Sequence, residues 1–279
     1  MSRYTRWSAF REAGLWLAAI PVLLPLYFVV ATALKPADEG GGHYFKPPTN
    51  PTLENISDAW SEAGSGTVSF AGALFNSLFT TAVVVALLIV IAAPAGYAIA
   101  RRGSRLAGAV FGMFALGLIL PFQLGIIPLY AFMVEAELAG TREGLILVYL
   151  GMLLPLSIFL YTGFFRALPP DYEEAARVDG ASSVRIFAQV VFPLVRPITG
   201  VVAILCGLLV WNDFFVSLVF VGGTDKETLP VAVYSFVGRF SAQWPLIFAS
   251  ALIAMLPVMV FYFFMQRTVM RGFTSTLRG

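Results

Sequence analysis

The stretch DYEEAARVDGASSVRIFAQVVFP, residues 171–193, is a polar segment in a chain that is 58% hydrophobic and only 12% charged. It contains no His or Cys, and its acidic residues and arginines are interleaved with alanines. Soluble domains carry about 25% charged residues. The composition therefore predicts a membrane protein, and the polarity of residues 171–193 predicts that this segment lies outside the lipid.

Local signals predict a short helix at the start of this segment. Asp171 follows two prolines and precedes Glu174 by three positions, a spacing that predicts a capping box. Glu173 and Glu174 suit the positive end of a helix dipole. Gly180 suits the left-handed residue that follows a helix. We therefore predict a helix of about two turns over residues 171–180.

A second helix is predicted after Gly180. Ser182 or Ser183 can supply its N-cap. Pro193 and Pro197 are expected to end it. Four apolar residues are expected to form one stripe along it, namely Val184, Phe187, Val190 and Val191.

The apolar intervals predict six transmembrane helices. A spanning helix needs about 20 apolar residues, and the chain, of mean hydropathy +0.82, contains six intervals that can each hold one. These intervals cover residues 13–34, 63–100, 106–134, 144–165, 197–224 (interrupted by Asp213) and 240–266.

The distribution of basic residues predicts the orientation. Thirteen of the 18 Lys and Arg residues lie in one set of loops and five in the other. Because positive residues are retained in the cytoplasm, both termini and residues 171–193 are expected to be cytoplasmic. The first apolar run is too long for an ordinary signal peptide, whose apolar core has about 7–15 residues, so we interpret residues 13–34 as a permanent anchor.

The sequence carries no motif for an enzymatic or metal site. It lacks a phosphate-binding P-loop, the H-E-x-x-H metal motif and the G-x-S-x-G nucleophile motif. Cys206 and His43 are the only residues of their kinds, so neither a disulfide nor a metal site is expected. The basic cytoplasmic side suits anionic membrane lipid or an acidic protein surface, and nucleic acid is not indicated. We expect a transport subunit without enzymatic activity or a bound cofactor.

Two interpretations of the 171–180 helix differ in what covers it. It could be an amphipathic connector on the inner membrane surface. However, it carries charge on several sides and little apolar surface for lipid, so docking on another protein suits it better.

The same residues resemble a known family. Glu174-Ala175-Ala176, three residues, Gly180, nine residues and Val190-x-Phe192-Pro193 resemble the E-A-A-x3-G-x9-I-x-L-P motif of membrane subunits of binding-protein-dependent ABC importers. Val and Phe replace the usual Ile and Leu. Residues 143–169, WNDFF at 211–215 and residues 244–267 are similar to the carbohydrate subgroup of the maltose-permease (MalG) type.

The resemblance implies a permease with defined partners. It implies one transmembrane domain over residues 1–279, with a peripheral first helix at 13–34, a permease core at 72–266 and a cytoplasmic coupling helix at 171–180. It also implies a bacterial inner-membrane complex with a homologous second permease, two ATP-binding cassette subunits that hold ATP and Mg²⁺, and an extracytoplasmic sugar-binding protein. The coupling residues would be Glu173, Glu174, Ala175, Ala176, Asp179 and Gly180.

A second candidate site lies within the fifth apolar interval. A carboxylate at the membrane centre costs roughly 2.5–3.5 kcal/mol on insertion scales, so Asp213 is expected to face protein or water. Two roles are open: lining the sugar pathway, or a hydrogen-bonded lock against the partner permease, which we favour. The candidate pathway or interface residues are Gln123, Trp211, Asn212, Asp213 and Phe214.

The substrate class has alternatives. We expect the chain to form half of an import pathway for a sugar, with a di- or oligosaccharide favoured. A polyamine or glycerol-phosphate substrate in the same family is the alternative. An ion-coupled secondary transporter is less favoured, because such proteins usually carry several intramembrane acids and inverted repeats, whereas this sequence has one such acid and no clear repeat.

Overall fold

The computed structural model describes residues 6–36, 39, 46–62, 67–237 and 243–276, and the regular elements within these ranges are helices. The all-α prediction is therefore confirmed. In chain order the α-helices are α1 Arg6–Ala33, α2 Glu54–Glu62, α3 Phe70–Arg101, α4 Arg105–Ile119, α5 Ile126–Glu135, α6 Arg142–Ala167, α7 Asp171–Val178, α8 Ser183–Arg185, α9 Phe192–Leu194, α10 Arg196–Trp211, α11 Phe215–Val221, α12 Leu229–Tyr234 and α13 Trp244–Thr276.

Four helical segments of the described chain are long and apolar enough to cross a membrane: Phe10–Ala33, Phe70–Arg101, Arg142–Ala167 and Trp244–Phe261. Two further pairs of helical segments meet this criterion only when each pair is counted as one span. One joins α4 to residues 122–135 with a 93° bend, and the other joins residues 183–194 to α10 with a 73° bend. The described residues thus contain four to six candidate crossings. The arrangement of six spans with cytoplasmic termini stays a prediction.

The predicted third span, residues 106–134, is broken rather than continuous. α4 ends at Ile119, Leu120 is extended with ψ 124°, and Pro121 precedes a 3-10 turn at Phe122–Gly125. A residue before proline is pushed away from helical angles, and proline lacks the N–H that would continue the helix. Pro121 therefore explains the 93° bend.

The chain divides into two compact units, residues 1–71 with 232–259 and residues 72–231 with 260–279. In the first unit, Nδ2 of Asn55 in α2 donates to the carbonyl oxygens of Ala33 at 2.8 Å and Lys35 at 2.6 Å. Carbonyl groups at the end of a helix have no partner within it. Asn55 therefore satisfies the end of α1 and fixes α2 against it.

The core of the second unit lies where α3, α6 and α10 pack together. Tyr149, Tyr161 and Phe165 of α6 are fully buried. Gly96 brings α3 close to α6: a Cβ there would lie 2.8 Å from Cβ of Tyr161 and 3.1 Å from the backbone nitrogen of Thr162. Only a residue without a side chain allows this approach.

A polar network fixes the beginning of α3 and of α6, at the end of the unit that the sequence predicts to be outside. Asn76 donates from Nδ2 to the carbonyl oxygens of Asp225 at 2.9 Å and Glu227 at 3.0 Å. Its Oδ1 accepts from Nη2 of Arg142 at 2.7 Å. Ser77 accepts from the N–H of Leu229 at 2.8 Å. Side chains of α3 thus hold the loop before α12.

We predict that Gly96→Ala destabilises the protein. Overpacking of a tight contact costs about 1–3 kcal/mol, which exceeds the roughly 0.5–1 kcal/mol that alanine gains over glycine inside a helix. The thermal unfolding midpoint of the detergent-solubilised protein should fall.

The matched control is Gly151→Ala in α6, where no atom lies within 4 Å of the added Cβ. This variant should unfold at or slightly above the wild-type temperature. Equal midpoints for the two variants would contradict the close packing of α3 against α6.

Candidate functional site

Helix α7 is the short polar helix that the sequence predicts, but it begins differently. Pro170 is its N-cap, and the carbonyl of Pro170 accepts from the backbone N–H groups of Glu173 at 2.9 Å and Glu174 at 3.1 Å. No side chain caps this helix, so the predicted capping box of Asp171 and Glu174 is wrong. The reason is that Pro170 has helical backbone angles, φ −72° and ψ −14°, which puts Asp171 inside the first turn.

The end of α7 matches the prediction. Gly180 has φ +76°, and its N–H donates to the carbonyl of Arg177 at 3.1 Å. The N–H of Ala181 donates to the carbonyl of Ala176, also at 3.1 Å. This pair of bonds is the Schellman motif, which needs a left-handed residue after the helix. Gly180 therefore gives α7 a sharp end.

The inner face of α7 is bound to α3 through Glu173. Its Oε1 accepts from Nε of Arg101 at 2.7 Å, and its Oε2 accepts from the hydroxyl of Tyr97 at 2.8 Å. Glu173 is 4% exposed. The family resemblance implied Glu173 as one of the coupling residues, whereas the structure turns its carboxylate into the protein. Its contribution to coupling would therefore be indirect.

Arg101 binds three parts of the chain at once. Besides its bond to Glu173, it donates from Nη1 to the carbonyl of Phe165 at 2.8 Å and from Nη2 to the carbonyl of Leu168 at 3.0 Å. Phe165 lies near the end of α6, and Leu168 follows that helix. The fixed fork of a guanidinium suits such divergent acceptors. One side chain thus joins α3, the end of α6 and α7.

The opposite side of α7 is exposed and carries three of the predicted coupling residues together with Val178. We call Glu174, Ala175, Val178 and Asp179 the docking face; all four are exposed, Val178 by 87%. Ala176 is half-buried and packs on the core, so the two alanines of the motif have different roles. Ala175 leaves room on the docking face for a close approach, whereas Ala176 allows α7 to lie near the core.

The segment after α7 corrects the predicted apolar stripe. Ser182 caps α8 by accepting from the N–H of Arg185 at 3.4 Å, as one of the two predicted serines. Val184 is 78% exposed, whereas Ile186 and Val191 are buried. Residues 186–191 form a π-helix, which has more residues per turn than the α-helix assumed for the stripe. The segment also continues to Leu194, so Pro193 does not end it.

The second candidate site is a break between α10 and α11. α10 ends at Trp211 and α11 begins at Phe215, so the predicted fifth span is interrupted at Asp213. Oδ2 of Asp213 accepts from the N–H groups of Val216 at 2.9 Å and Ser217 at 3.4 Å, and from the hydroxyl of Tyr149 at 3.1 Å. Asp213 thus caps α11 and binds α6 within the same chain.

The other predicted pathway residues do not form one cluster with Asp213. Trp211 is buried, Asn212 is exposed and Phe214 is half-buried. Gln123 is exposed in the 3-10 turn after Pro121, in the break between α4 and α5. An open groove lies beside the α10 break, lined by Leu156, Leu205, Leu208, Leu209, Asn212 and Asp213.

Sequence reasoning missed the partners of the two acidic residues. Arg101 counted only as a basic residue at a membrane boundary, and Tyr97 and Tyr149 were part of apolar intervals. No local signal pairs them with Glu173 or Asp213, because the partners are 64 to 76 positions apart. Among the described residues, no group of three or more His, Cys, Asp and Glu is arranged to hold a metal ion.

Comparison with protein families gives one match that covers most of the chain. Residues 89–275 match the model of the binding-protein-dependent transport system inner membrane component. The chain belongs to this family. It is therefore a transport subunit rather than an enzyme, and it resides in the inner membrane as a multi-pass protein.

Similar proteins cover nearly the whole length. The melibiose/raffinose/stachyose import permease protein MelC of Bacillus subtilis (strain 168) is 33% identical over 253 residues, 90% of either chain. The diacetylchitobiose uptake system permease protein NgcG of Streptomyces coelicolor is 31% identical over 269 residues, 95% of this chain and 86% of the relative.

A solved structure shows the same fold. One chain of a bacterial ABC transporter involved in the import of the acidic polysaccharide alginate superimposes with a TM-score of 0.79 at 20% identity. The match covers 96% of this chain and 99% of the other.

We predict that Asp213→Ala destabilises the protein, whereas Asp213→Asn does so less. Alanine removes the cap of α11 and the acceptor for Tyr149, and loss of a helix cap alone costs about 0.5–2 kcal/mol. Asparagine keeps an acceptor oxygen for both. Thermal unfolding of the purified variants measures the difference.

Asn212→Ala is the control, because the Asn212 side chain is exposed and donates only to the carbonyl of Leu208 in its own helix. It should unfold near the wild-type temperature. A midpoint for Asp213→Ala equal to that of Asn212→Ala would show that the Asp213 bonds are not stabilising.

Proposed function

We propose that this chain is the membrane subunit of an ATP-driven importer for a di- or oligosaccharide. It forms half of the translocation pathway together with a homologous second permease. Helix α7 docks on an ATP-binding cassette subunit, which holds ATP and Mg²⁺ and hydrolyses the nucleotide. An extracytoplasmic sugar-binding protein delivers the substrate.

The observation that carries the coupling part of this proposal is the two-sided build of α7. The inner side of α7 is bound to α3 through Glu173, while its docking face presents two carboxylates beside Ala175 and Val178. A helix held from one side and presented on the other can transmit a push or pull from a partner. Glu174 and Asp179 favour a partner surface with basic groups, and Ala175 leaves room for a close contact between backbones.

The pathway part is supported by helix breaks inside two of the predicted apolar intervals, at Pro121 in residues 106–134 and at Asp213 in residues 197–224. Non-helical backbone at membrane depth is tolerated only where it is buried in protein or lines a water-filled cavity. The breaks at Pro121 and Asp213 meet this description if they face a second permease subunit or the space between the two subunits. The groove beside Asp213 has an apolar wall of leucines and a polar end, and it suits the helix of a partner permease at least as well as a sugar.

The substrate class is supported by the relatives. MelC is named as an import permease for melibiose, raffinose and stachyose, and NgcG as a permease for diacetylchitobiose uptake. A third relative, MsmG of Streptococcus mutans, is 29% identical over 265 residues, 94% of this chain and 93% of the relative, and is named a multiple sugar-binding transport system permease. Two of these names specify di- or oligosaccharides and the third specifies sugars, which favours a sugar over polyamines and glycerol phosphate.

We predict that Gly180→Leu and Glu174→Lys weaken binding of the ATPase subunit while the permease still folds. A residue with a Cβ pays about 1–2 kcal/mol for the left-handed conformation, which corresponds to a loss of affinity on the order of tenfold if the strain is relieved by moving the end of α7. Lysine reverses the charge on the docking face. Co-purification of the ATPase with the tagged permease measures both effects.

Two variants serve as matched controls. Gly223→Leu places the same side chain at a glycine with φ +80°, away from α7. Glu135→Lys makes the same charge reversal at an exposed residue that ends α5. Both should retain the ATPase. If the controls lose the ATPase as strongly as the α7 variants do, α7 is not its docking site.

We predict ATP-dependent uptake of sugars by the complete complex in proteoliposomes. Labelled melibiose, raffinose and stachyose are the test substrates, and putrescine and glycerol 3-phosphate represent the alternative classes. Uptake should require ATP and should persist when ionophores collapse ion gradients. Uptake of putrescine or glycerol 3-phosphate alone would contradict the sugar class, and gradient-driven uptake without ATP would contradict an ATP-driven importer.

A further inference from the structure

Arg101 lies at the junction where α3, the end of α6 and α7 meet. α7 follows α6 through a linker of three residues, Leu168, Pro169 and Pro170, in which Leu168 is extended with ψ 125°. The prolines remove two backbone N–H donors from this linker. A helix attached only through such a linker could pivot about it.

The side chain of Arg101, which belongs to α3, connects the residues on the two sides of this linker. It binds the carbonyl of Phe165 in α6, the carbonyl of Leu168 at the start of the linker and the carboxylate of Glu173 in α7. Tyr97, one turn earlier in α3, binds the second oxygen of the same carboxylate at 2.8 Å. Four hydrogen bonds from α3 thus fix the angle between α6 and α7.

The burial of this junction makes it stiff. The Glu173 side chain is 5% exposed and that of Arg101 is 21% exposed. An ion pair shielded from water is difficult to open, because separating it leaves a buried charge without a partner. The rings of Phe165 and Phe187 also pack against that of Tyr97, with centroids 5.4 and 5.3 Å apart.

We propose that Arg101 is a positioning residue that makes α7 and the end of α3 move as one body. The inference rests on the proposed docking of α7. A movement imposed on α7 by the ATPase then reaches α3, a candidate spanning helix of 32 residues, directly through the Arg101–Glu173 pair. The covalent connection to α6 is not the only route.

The test measures the distance between α7 and α3 in the complete complex in nanodiscs. Spin labels are attached to Asp171→Cys and Arg102→Cys, both exposed, in a Cys206→Ser background that removes the chain's only native cysteine. Distance distributions from pulsed EPR are recorded without nucleotide and after trapping with ATP and vanadate. The variants are Arg101→Gln, Arg101→Gln with Glu173→Gln, and the control Arg105→Gln, which removes an exposed positive charge at the start of α4.

The native pair should give one narrow distance that does not change on trapping, and Arg105→Gln should match it. Arg101→Gln should broaden the distribution. The double variant is decisive, because it removes the unpaired buried charge of the single variant yet lacks the guanidinium fork. It should stay broad, and its distance should shift on trapping.

Two outcomes would overturn the proposal: a narrow, unshifted distance in the double variant, which would show that only charge compensation matters, or a narrow distance in Arg101→Gln. Failure of the proposed function is seen separately, as absence of the ATPase from the purified native complex. The distances without nucleotide still test the junction in that case.

Discussion

The ion pair between Glu173 and Arg101 holds α7 against the ends of α3 and α6. A carboxylate that is 4% exposed needs a charged partner, because breaking a buried pair costs about 3–5 kcal/mol. The pair determines which side of α7 faces the protein, and therefore which side is free to bind another subunit. It also fixes the angle at which α7 leaves α6, since the same guanidinium binds the carbonyls of Phe165 and Leu168.

The helix breaks at Pro121 and Asp213 also require partners for backbone groups that the helices leave unpaired. A helix end within a membrane leaves backbone donors and acceptors without water, so each end needs a substitute partner. Asp213 provides one by accepting from the first N–H groups of α11, and Tyr149 holds its carboxylate in place. Asp213, whose charge is unfavourable in lipid, thus stabilises the helix break within its apolar interval.

Local sequence motifs predicted helix ends correctly where a position requires one residue type. Gly180 takes the left-handed conformation because a residue with a Cβ is strained there, and Ser182 caps the following helix. The capping box at Asp171 failed because Pro170 takes the N-cap position, which puts Asp171 inside the first turn. The stripe from Val184 to Val191 failed at Val184, which is exposed, whereas Phe187 packs against the core and Val191 is buried.

The membrane setting, the family and the position of the short polar helix follow from chain order alone, because apolar length, charge distribution and the spacing of Glu174, Ala175 and Gly180 can all be read along the chain. The inward direction of Glu173, its bond to Arg101 and the bond between Asp213 and Tyr149 depend on how the helices pack. These contacts join residues 64 to 76 positions apart. Sequence spacing predicts neighbours within one helix, whereas the packing of different helices decides which side chains meet.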